Sequence, residues 1–175
     1  MTSVTNTPVK RPAFKFDAPW VPRAMLLIGL AANALGVALV TQAHLGTSPI
    51  AAIPYGLSLV IPYLSFGTWT VIFGLLLTVM QMIIDPTPWN WRQLAIQTLL
   101  GFVFGYAIDW FMPMARLMDT GGYVRSLAML VIGCMVIALG AFMEVLANLA
   151  MLPGDAFIRA ICRRTHMRFG RVRVI

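Results

Sequence analysis

Two short segments carry the residue types with which this chain could bind a solute. Each follows a long apolar run and contains a proline that can start a helix. If such a helix started inside a membrane, its free N–H groups and its dipole would favour an anion or a carboxylate. The alternative at both places is a proline-marked loop between two ordinary spans. The residues concerned are Thr47, Ser48 and Pro49 in the first segment, and Pro153, Gly154 and Asp155 in the second.

Three other side chains complete the predicted binding residues. His44 lies beside the first segment and is either a switch or a satisfied polar residue. Tyr55 either lines a cavity or lies at the membrane interface. Glu144, within the last apolar run, is either a proton or cation site or the structural partner of a basic residue such as Arg159. Asp109 is predicted to be an interface residue or a satisfied cap.

The composition identifies the elements that must position these residues as membrane helices. Of the 175 residues, 59% are hydrophobic and 11% are charged, and the mean hydropathy is +0.82. Soluble domains carry about 25% charged residues. The net charge of +7 comes mainly from basic residues near the two ends. This pattern indicates membrane topology and contact with anionic lipids, and it argues against nucleic-acid binding.

The pattern of apolar runs predicts an all-α, polytopic membrane protein with about four full transmembrane helices. A spanning helix needs about 20 apolar residues. The segment Thr47 to Leu64 is short and contains three prolines, which favours a broken or re-entrant half-helix over a crossing. The four predicted spans are Ala24 to Ala43, Phe66 to Ile84, Gln93 to Met112 and Ser126 to Leu152.

An internal repeat relates the two proline-marked segments. When the chain is shifted by 104 residues, Pro49 aligns with Pro153, and the run from Ala34 to Gly36 aligns with that from Ala138 to Gly140. A later Phe-Gly pair also recurs, with a slip of one residue. The first copy continues with two more spans, whereas the second copy is expected to be incomplete. This incompleteness suggests that stable folding could require a homodimer.

Charge predicts the topology of these segments. The polar, basic residues 1–22 and the basic, amphipathic residues 154–175 should both be cytoplasmic, on either side of a transmembrane domain of residues 23–153. An even number of crossings is then required, so the two repeats would be inverted, as in many transporters. The basic C-terminal segment is either the start of a truncated second repeat or a simple tail. Its candidates for lipid-headgroup binding are Arg163, Arg164 and Arg168.

Small residues predict where helices pack closely. Gly101 and Gly105 are spaced for a close approach on the third span, and Gly29 and Gly36 share a face of the first. The sequence contains no Walker loop, GxSxG, HExxH or dinucleotide fingerprint. We therefore expect no enzymatic activity, no cofactor and no metal site.

At AHLGTSPIAAIPYGLS and at ANLAMLPGDAFIRAICRRT, the sequence resembles the YczE/YitT-like family of bacterial membrane proteins. The shared elements are Leu45-Gly46-Thr47-Ser48-Pro49 and Pro153-Gly154-Asp155. Ala150 and Gly154 depart from the family pattern. The resemblance implies a multi-pass protein of the bacterial inner membrane, without implying a substrate or catalytic residues.

These observations lead to one main hypothesis and two alternatives. The main hypothesis is a permease for a small anionic or zwitterionic solute, bound between the two proline-marked segments. The first alternative is an accessory or assembly subunit that transports nothing. The second is a protein that binds anionic lipid through its arginine-rich end.

Overall fold

A computed structural model describes residues 20–84, 91–118, 122–147 and 152–165. Within the last range, the side chains of 155, 159 and 162–165 are not described. The described residues form six helices and no strand. They are α1 (Val21–Gln42), α2 (Pro49–Val60), α3 (Phe66–Ile84), α4 (Trp91–Met118), α5 (Tyr123–Ala147) and α6 (Pro153–Thr165).

The predicted all-α polytopic fold is confirmed. Among the described residues, α1, α3, α4 and α5 are long and apolar enough to span a membrane. The second span begins and ends at the predicted residues, Phe66 and Ile84. The predicted end of the third span, at Met112, was wrong. The helix continues through Pro113 to Met118, because a proline removes only one hydrogen bond and Ala115 beyond it is buried against α1.

The two short helices coincide with the two proline-marked segments. Ser48 is the N-cap of α2, and its side-chain oxygen accepts a hydrogen bond from the N–H of Ala51 at 3.3 Å. α2 runs through Pro54 and ends at Val60, because the residue before Pro62 cannot easily stay helical. Its 12 residues extend about 18 Å. The hydrocarbon core of a bilayer is about 30 Å thick, so α2 is too short to cross it.

Packing contacts give the directions of the four long helices. Leu30 of α1 packs with Leu100 of α4, and Ala38 packs with Ala115, so these two helices are parallel. α3 is antiparallel to α4, since Gly67 lies at Gly105 whereas Gln97 bonds Gln81. α5 is antiparallel to α1, as described below. The long helices therefore alternate in direction, and the segment containing α2 begins and ends at the same end of the bundle.

Four glycines bring α1 and α5 into close contact. Gly29 lies opposite Gly140, and Gly36 lies opposite Gly133. A Cβ added at Gly29 would be 2.9 Å from the carbonyl oxygen of Gly140, and one added at Gly36 would be 2.8 Å from that of Gly133. These distances leave no room for a side chain, so the backbones of α1 and α5 touch directly at two places, one heptad apart.

A second close approach joins α3 to α4. A Cβ added at Gly67 would lie 2.0 Å from the carbonyl oxygen of Gly105. Beside this contact, the carboxylate of Asp109 accepts hydrogen bonds from the N–H of Gly67, at 2.8 Å, and from the hydroxyl of Ser65. Asp109 is therefore a cap for the N-terminus of α3, where its negative charge also complements the helix dipole.

Candidate solute site where two helix starts meet

The starts of α2 and α6 lie against each other. A Cβ added at Gly154, the second residue of α6, would be 3.5 Å from Cδ1 of Ile50, the second residue of α2. Both helices begin with a proline, which has no N–H and fits the first position of a helix. The N–H groups that follow belong to the first turn, where an α-helix provides no acceptor of its own. The starts of the two helices thus touch through the side chain of Ile50.

Glycines on α3 and α4 hold the start of α6 at mid-length of α3. A Cβ added at Gly74 would be 3.6 Å from the Pro153 ring, and one added at Gly101 would be 3.2 Å from it. Pro153 is buried in this notch. Gly74 lies halfway along α3, so the start of α6 is at the middle of a span rather than at its end. Gly101 and Gly105 were predicted to allow a close helix approach. Gly101 packs against the start of α6, and Gly105 packs against α3.

A narrow cleft with a volume of about 10 Å³, enough for about one water molecule, adjoins this notch. Thr78 contributes a hydroxyl from α3 and Thr98 one from α4. The amide of Gln97 lies 3.5 Å from the Thr78 hydroxyl and donates a hydrogen bond to Gln81 at 3.1 Å. The cleft therefore has a small polar portion in apolar surroundings, but in this conformation it is too small to hold a solute. Its lining residues are Val71, Gly74, Leu75, Thr78, Thr98, Gly101, Phe102 and Pro153.

The polar side chains in and beside this cleft were not among the residues predicted from the sequence. Thr78, Gln97 and Thr98 lie within predicted spans, and Thr78 and Gln97 are buried. The sequence could have indicated these residues, because an amide or a hydroxyl in a membrane helix usually faces another helix or a cavity.

Most of the predicted residues at the two breaks are in the places expected for helix starts. Thr47 is half-buried, and Ser48 and Pro49 are exposed at the start of α2. Pro153 and Gly154 are the first two residues of α6. Asp155 is in its first turn, and its side chain lies outside the described part of the structure.

The other three predicted residues are placed elsewhere. Exposed His44 adopts φ 54° where the chain leaves α1, a left-handed conformation typical of a helix end. Half-buried Tyr55 packs edge-on against the ring of Phe66, with centroids 5.5 Å apart. Glu144 accepts a hydrogen bond from Asn33 of α1 at 3.3 Å. Both Tyr55 and Glu144 thus have helix-packing contacts of the kind expected for structural residues.

Several predictions fall on undescribed residues. The side chains of Arg159, Arg163 and Arg164 are not described, and Arg168 lies outside the described residues altogether. The same is true of Asp85-Pro86-Thr87-Pro88, a sequence typical of a loop after the second predicted span, and of residues 1–19. Among the residues that are described, no three His, Cys, Asp or Glu side chains are grouped as metal ligands would be.

Comparison with known proteins gives a family and one distant relative. The sequence model described as "Family of unknown function (DUF6198)" matches residues 23–175. "Uncharacterized protein YyaS" of Bacillus subtilis (strain 168) is 28% identical over 142 residues, which are 79% of this chain and 68% of the relative. No solved structure matches the chain. These matches do not assign the chain to the YczE/YitT-like family, which stays a resemblance.

Proposed function

Because the chain belongs to DUF6198, a family of unknown function, its activity must be inferred from its own geometry, and we propose that it is a membrane permease for a small anionic or zwitterionic solute. The observation that carries this proposal is the contact between the starts of α2 and α6, midway along α3. Broken helices that meet near the bilayer midplane form the binding sites of many transporters.

The electrostatics of the helix starts favour a negative group. Each helix N-terminus acts as about half a positive charge, and two such ends are in contact here. The first-turn residues Ile50 and Gly154 are uncharged, so the attraction at these positions comes from the backbone. Asp155, in the first turn of α6, is acidic, which opposes a simple anion and favours a zwitterion. An acceptor lies nearby, because Pro54 has no N–H to donate to the carbonyl oxygen of Ile50. A carboxylate at the helix starts and an ammonium at this carbonyl would together suit a zwitterion.

The packing supports the inverted repeat that this function requires. A shift of 104 residues converts Gly29 into Gly133 and Gly36 into Gly140. A two-fold rotation between the repeats would exchange the members of each of these pairs. It would turn the contact between Gly29 and Gly140 into a contact between Gly133 and Gly36, and both contacts are present. The same shift relates Ile50 to Gly154, which touch each other. A two-fold rotation that relates the repeats exchanges Ile50 with Gly154. Because these two residues are in contact, the rotation axis must pass between them, and therefore between the two helix starts.

The neighbours of these glycines follow the same relation. Gly29 faces Met143 and Glu144, and its equivalent Gly133 faces their equivalents, Leu39 and Val40. Since α1 and α5 are antiparallel, the axis lies across the bundle rather than along it. In a membrane this axis would be in the plane of the bilayer, as in transporters built from inverted repeats.

Topology and location are part of the proposal. The alternating long helices place residues 20 and 147 at the same end of the bundle. With the basic N-terminal segment in the cytoplasm, both residues would be on the cytoplasmic side of a bacterial inner membrane. The segment of α2 would then enter from the opposite side and return to it. We assign the protein no enzymatic activity.

A solute screen on the purified full chain tests the function. We expect small carboxylates and amino acids to raise the thermal unfolding temperature, and a quaternary ammonium ion at equal ionic strength to leave it unchanged. At 100 times the Kd, one bound solute adds about 2.7 kcal/mol to the free energy of unfolding. A solute found in this way should also cross the membrane of proteoliposomes. If neither anions nor zwitterions raise the unfolding temperature, the proposed function is wrong.

A further inference from the structure

The indole N–H of Trp69, on α3, is buried and has no hydrogen-bond partner among the described residues. No other buried side-chain nitrogen or oxygen in the described part of the chain is unpaired. A buried tryptophan N–H usually reaches an acceptor, and nearly all buried polar groups in proteins are paired. This unpaired donor therefore needs a physical explanation.

The level of Trp69 in the fold is inside the membrane rather than at its surface, where water could accept the hydrogen bond. On α4, the exposed rings of Trp91 and Trp110 are 19 residues apart, or about 29 Å, which matches the roughly 30 Å hydrocarbon core of a bilayer. Gly101 lies halfway between them, and Gly74 of α3 is level with it because both touch the start of α6. Trp69 precedes Gly74 by five residues, so it lies about 8 Å from the membrane centre.

Trp69 is also level with the first turns of α2. Tyr55, in the second turn of α2, packs on Phe66 at the start of α3. The start of α2 touches the start of α6, which in turn packs on Gly74. Since Trp69 comes between Phe66 and Gly74 on α3, it lies between the levels of these two contacts. The unpaired N–H is therefore on the helix that flanks the proposed solute site, at the depth of that site.

The chemistry of an unpaired N–H at this place fits a carboxylate. An indole N–H can only donate a hydrogen bond. The N–H of Ile50, in the first turn of α2, has no acceptor within its helix either. Because both groups are donors, they cannot pair with each other, whereas the two oxygens of a carboxylate can accept from both. A hydrogen bond to a charged acceptor is also stronger than one to a neutral acceptor.

We propose that Trp69 is a solute-binding residue, whose indole N–H donates a hydrogen bond to the carboxylate of the transported solute. This inference rests on the proposed function, because it adds a residue to the same site and names the carboxylate as the group recognised. The indole nitrogen is buried in this conformation. A solute therefore reaches it only after α2 moves away from α3, as expected for a site that opens and closes during transport.

Solute affinity of the purified full chain tests this role. The probes are acetate, succinate, free glycine and free glutamate, of which those that raise the unfolding temperature of the unmodified chain are used. Trp69→Phe removes the N–H and keeps an aromatic ring. It should raise the Kd by about tenfold to a hundredfold, because one hydrogen bond to a charged group is lost. Without solute, its unfolding temperature should change little, since the removed N–H has no partner in the fold. The matched control is Trp110→Phe, whose ring is 77% exposed and whose Kd should be unchanged.

A second variant separates the N–H from the size of the ring. A phenylalanine is smaller than a tryptophan, so Trp69→Phe could also loosen the packing around α3. Replacement of Trp69 by 3-benzothienylalanine keeps the shape of the double ring and exchanges the N–H for a sulfur atom. It should weaken solute binding as much as Trp69→Phe does.

Three results would overturn the proposal. Unchanged affinity in both Trp69 variants would show that the N–H does not contact the solute. Weaker binding by Trp69→Phe alone would show that the volume of the ring matters and its N–H does not. Both of these results leave the proposed function in place, because the unmodified chain still binds a solute. If none of the probes binds the unmodified chain, the proposed function fails, and this inference fails with it.

Discussion

Gly67→Ala is expected to destabilise the protein strongly, by about 3 kcal/mol or more. The new Cβ would lie 2.0 Å from the carbonyl oxygen of Gly105 and 2.6 Å from the carboxylate of Asp109. Since the nearest atom belongs to the backbone of another helix, α3 and α4 would have to separate. The Asp109 cap on α3 would be lost at the same time. Thermal unfolding of the purified protein in detergent measures the effect.

A second glycine provides the control for this prediction. Gly56, within α2, has no atom within 4 Å of an added Cβ. Gly56→Ala should therefore be neutral or stabilising, by up to about 1 kcal/mol, because alanine restricts the unfolded chain and favours the helix. If both variants unfolded at the same temperature, the close contact of α3 with α4 would be wrong.

Gly154→Leu is expected to abolish solute binding without unfolding the protein. An added Cβ at Gly154 makes only ordinary contacts, at 3.5 Å and 3.8 Å, both with the side chain of Ile50. A leucine would fill the gap between the two helix starts and block access to their N–H groups. The solute-dependent rise in unfolding temperature should disappear, which corresponds to at least a tenfold loss of affinity.

Two further substitutions serve as controls, one with a smaller side chain at Gly154 and one with leucine at a different glycine. Gly154→Ala should weaken binding less than Gly154→Leu, in proportion to the volume added. Gly56→Leu adds the same side chain to the uncovered backbone of α2 and should leave solute binding unchanged. Full solute binding by Gly154→Leu would show that the solute binds elsewhere, even if transport itself were established.

The sequence predicted those parts of the fold that depend on local signals. Phe66 and Ile84 bound the second span because an apolar run lies between a serine and an Asp-Pro loop. Ser48 and Pro49 start α2 because a hydroxyl before a proline stabilises a helix N-terminus locally. In both cases the residues that decide the structure are neighbours in the chain.

The remaining features depend on residues that are distant in the sequence. Asp109 caps α3 through Gly67, which is 42 residues away, and the sequence gives no indication of this partner. The proposed 104-residue repeat makes Ile50 and Gly154 equivalent, but equivalent residues need not touch. Their contact depends on the antiparallel register of α1 and α5, which four glycines set together. The continuation of α4 beyond Pro113 likewise depends on tertiary packing, since Ala115 packs with Ala38 of α1.

The most direct test of the account is whether the starts of α2 and α6 touch in the membrane. Cysteines replace Ile50 and Gly154 in a chain without Cys134 and Cys162, and a protease site is inserted at 119–121. A short reagent with two thiol-reactive ends is added to native membranes, and the chain is then cleaved. The account predicts that the two fragments stay joined, as they should in the control pair Asn33→Cys and Glu144→Cys, whose side chains meet at 3.3 Å. Fragments that separate, while those of the control pair stay joined, would contradict it.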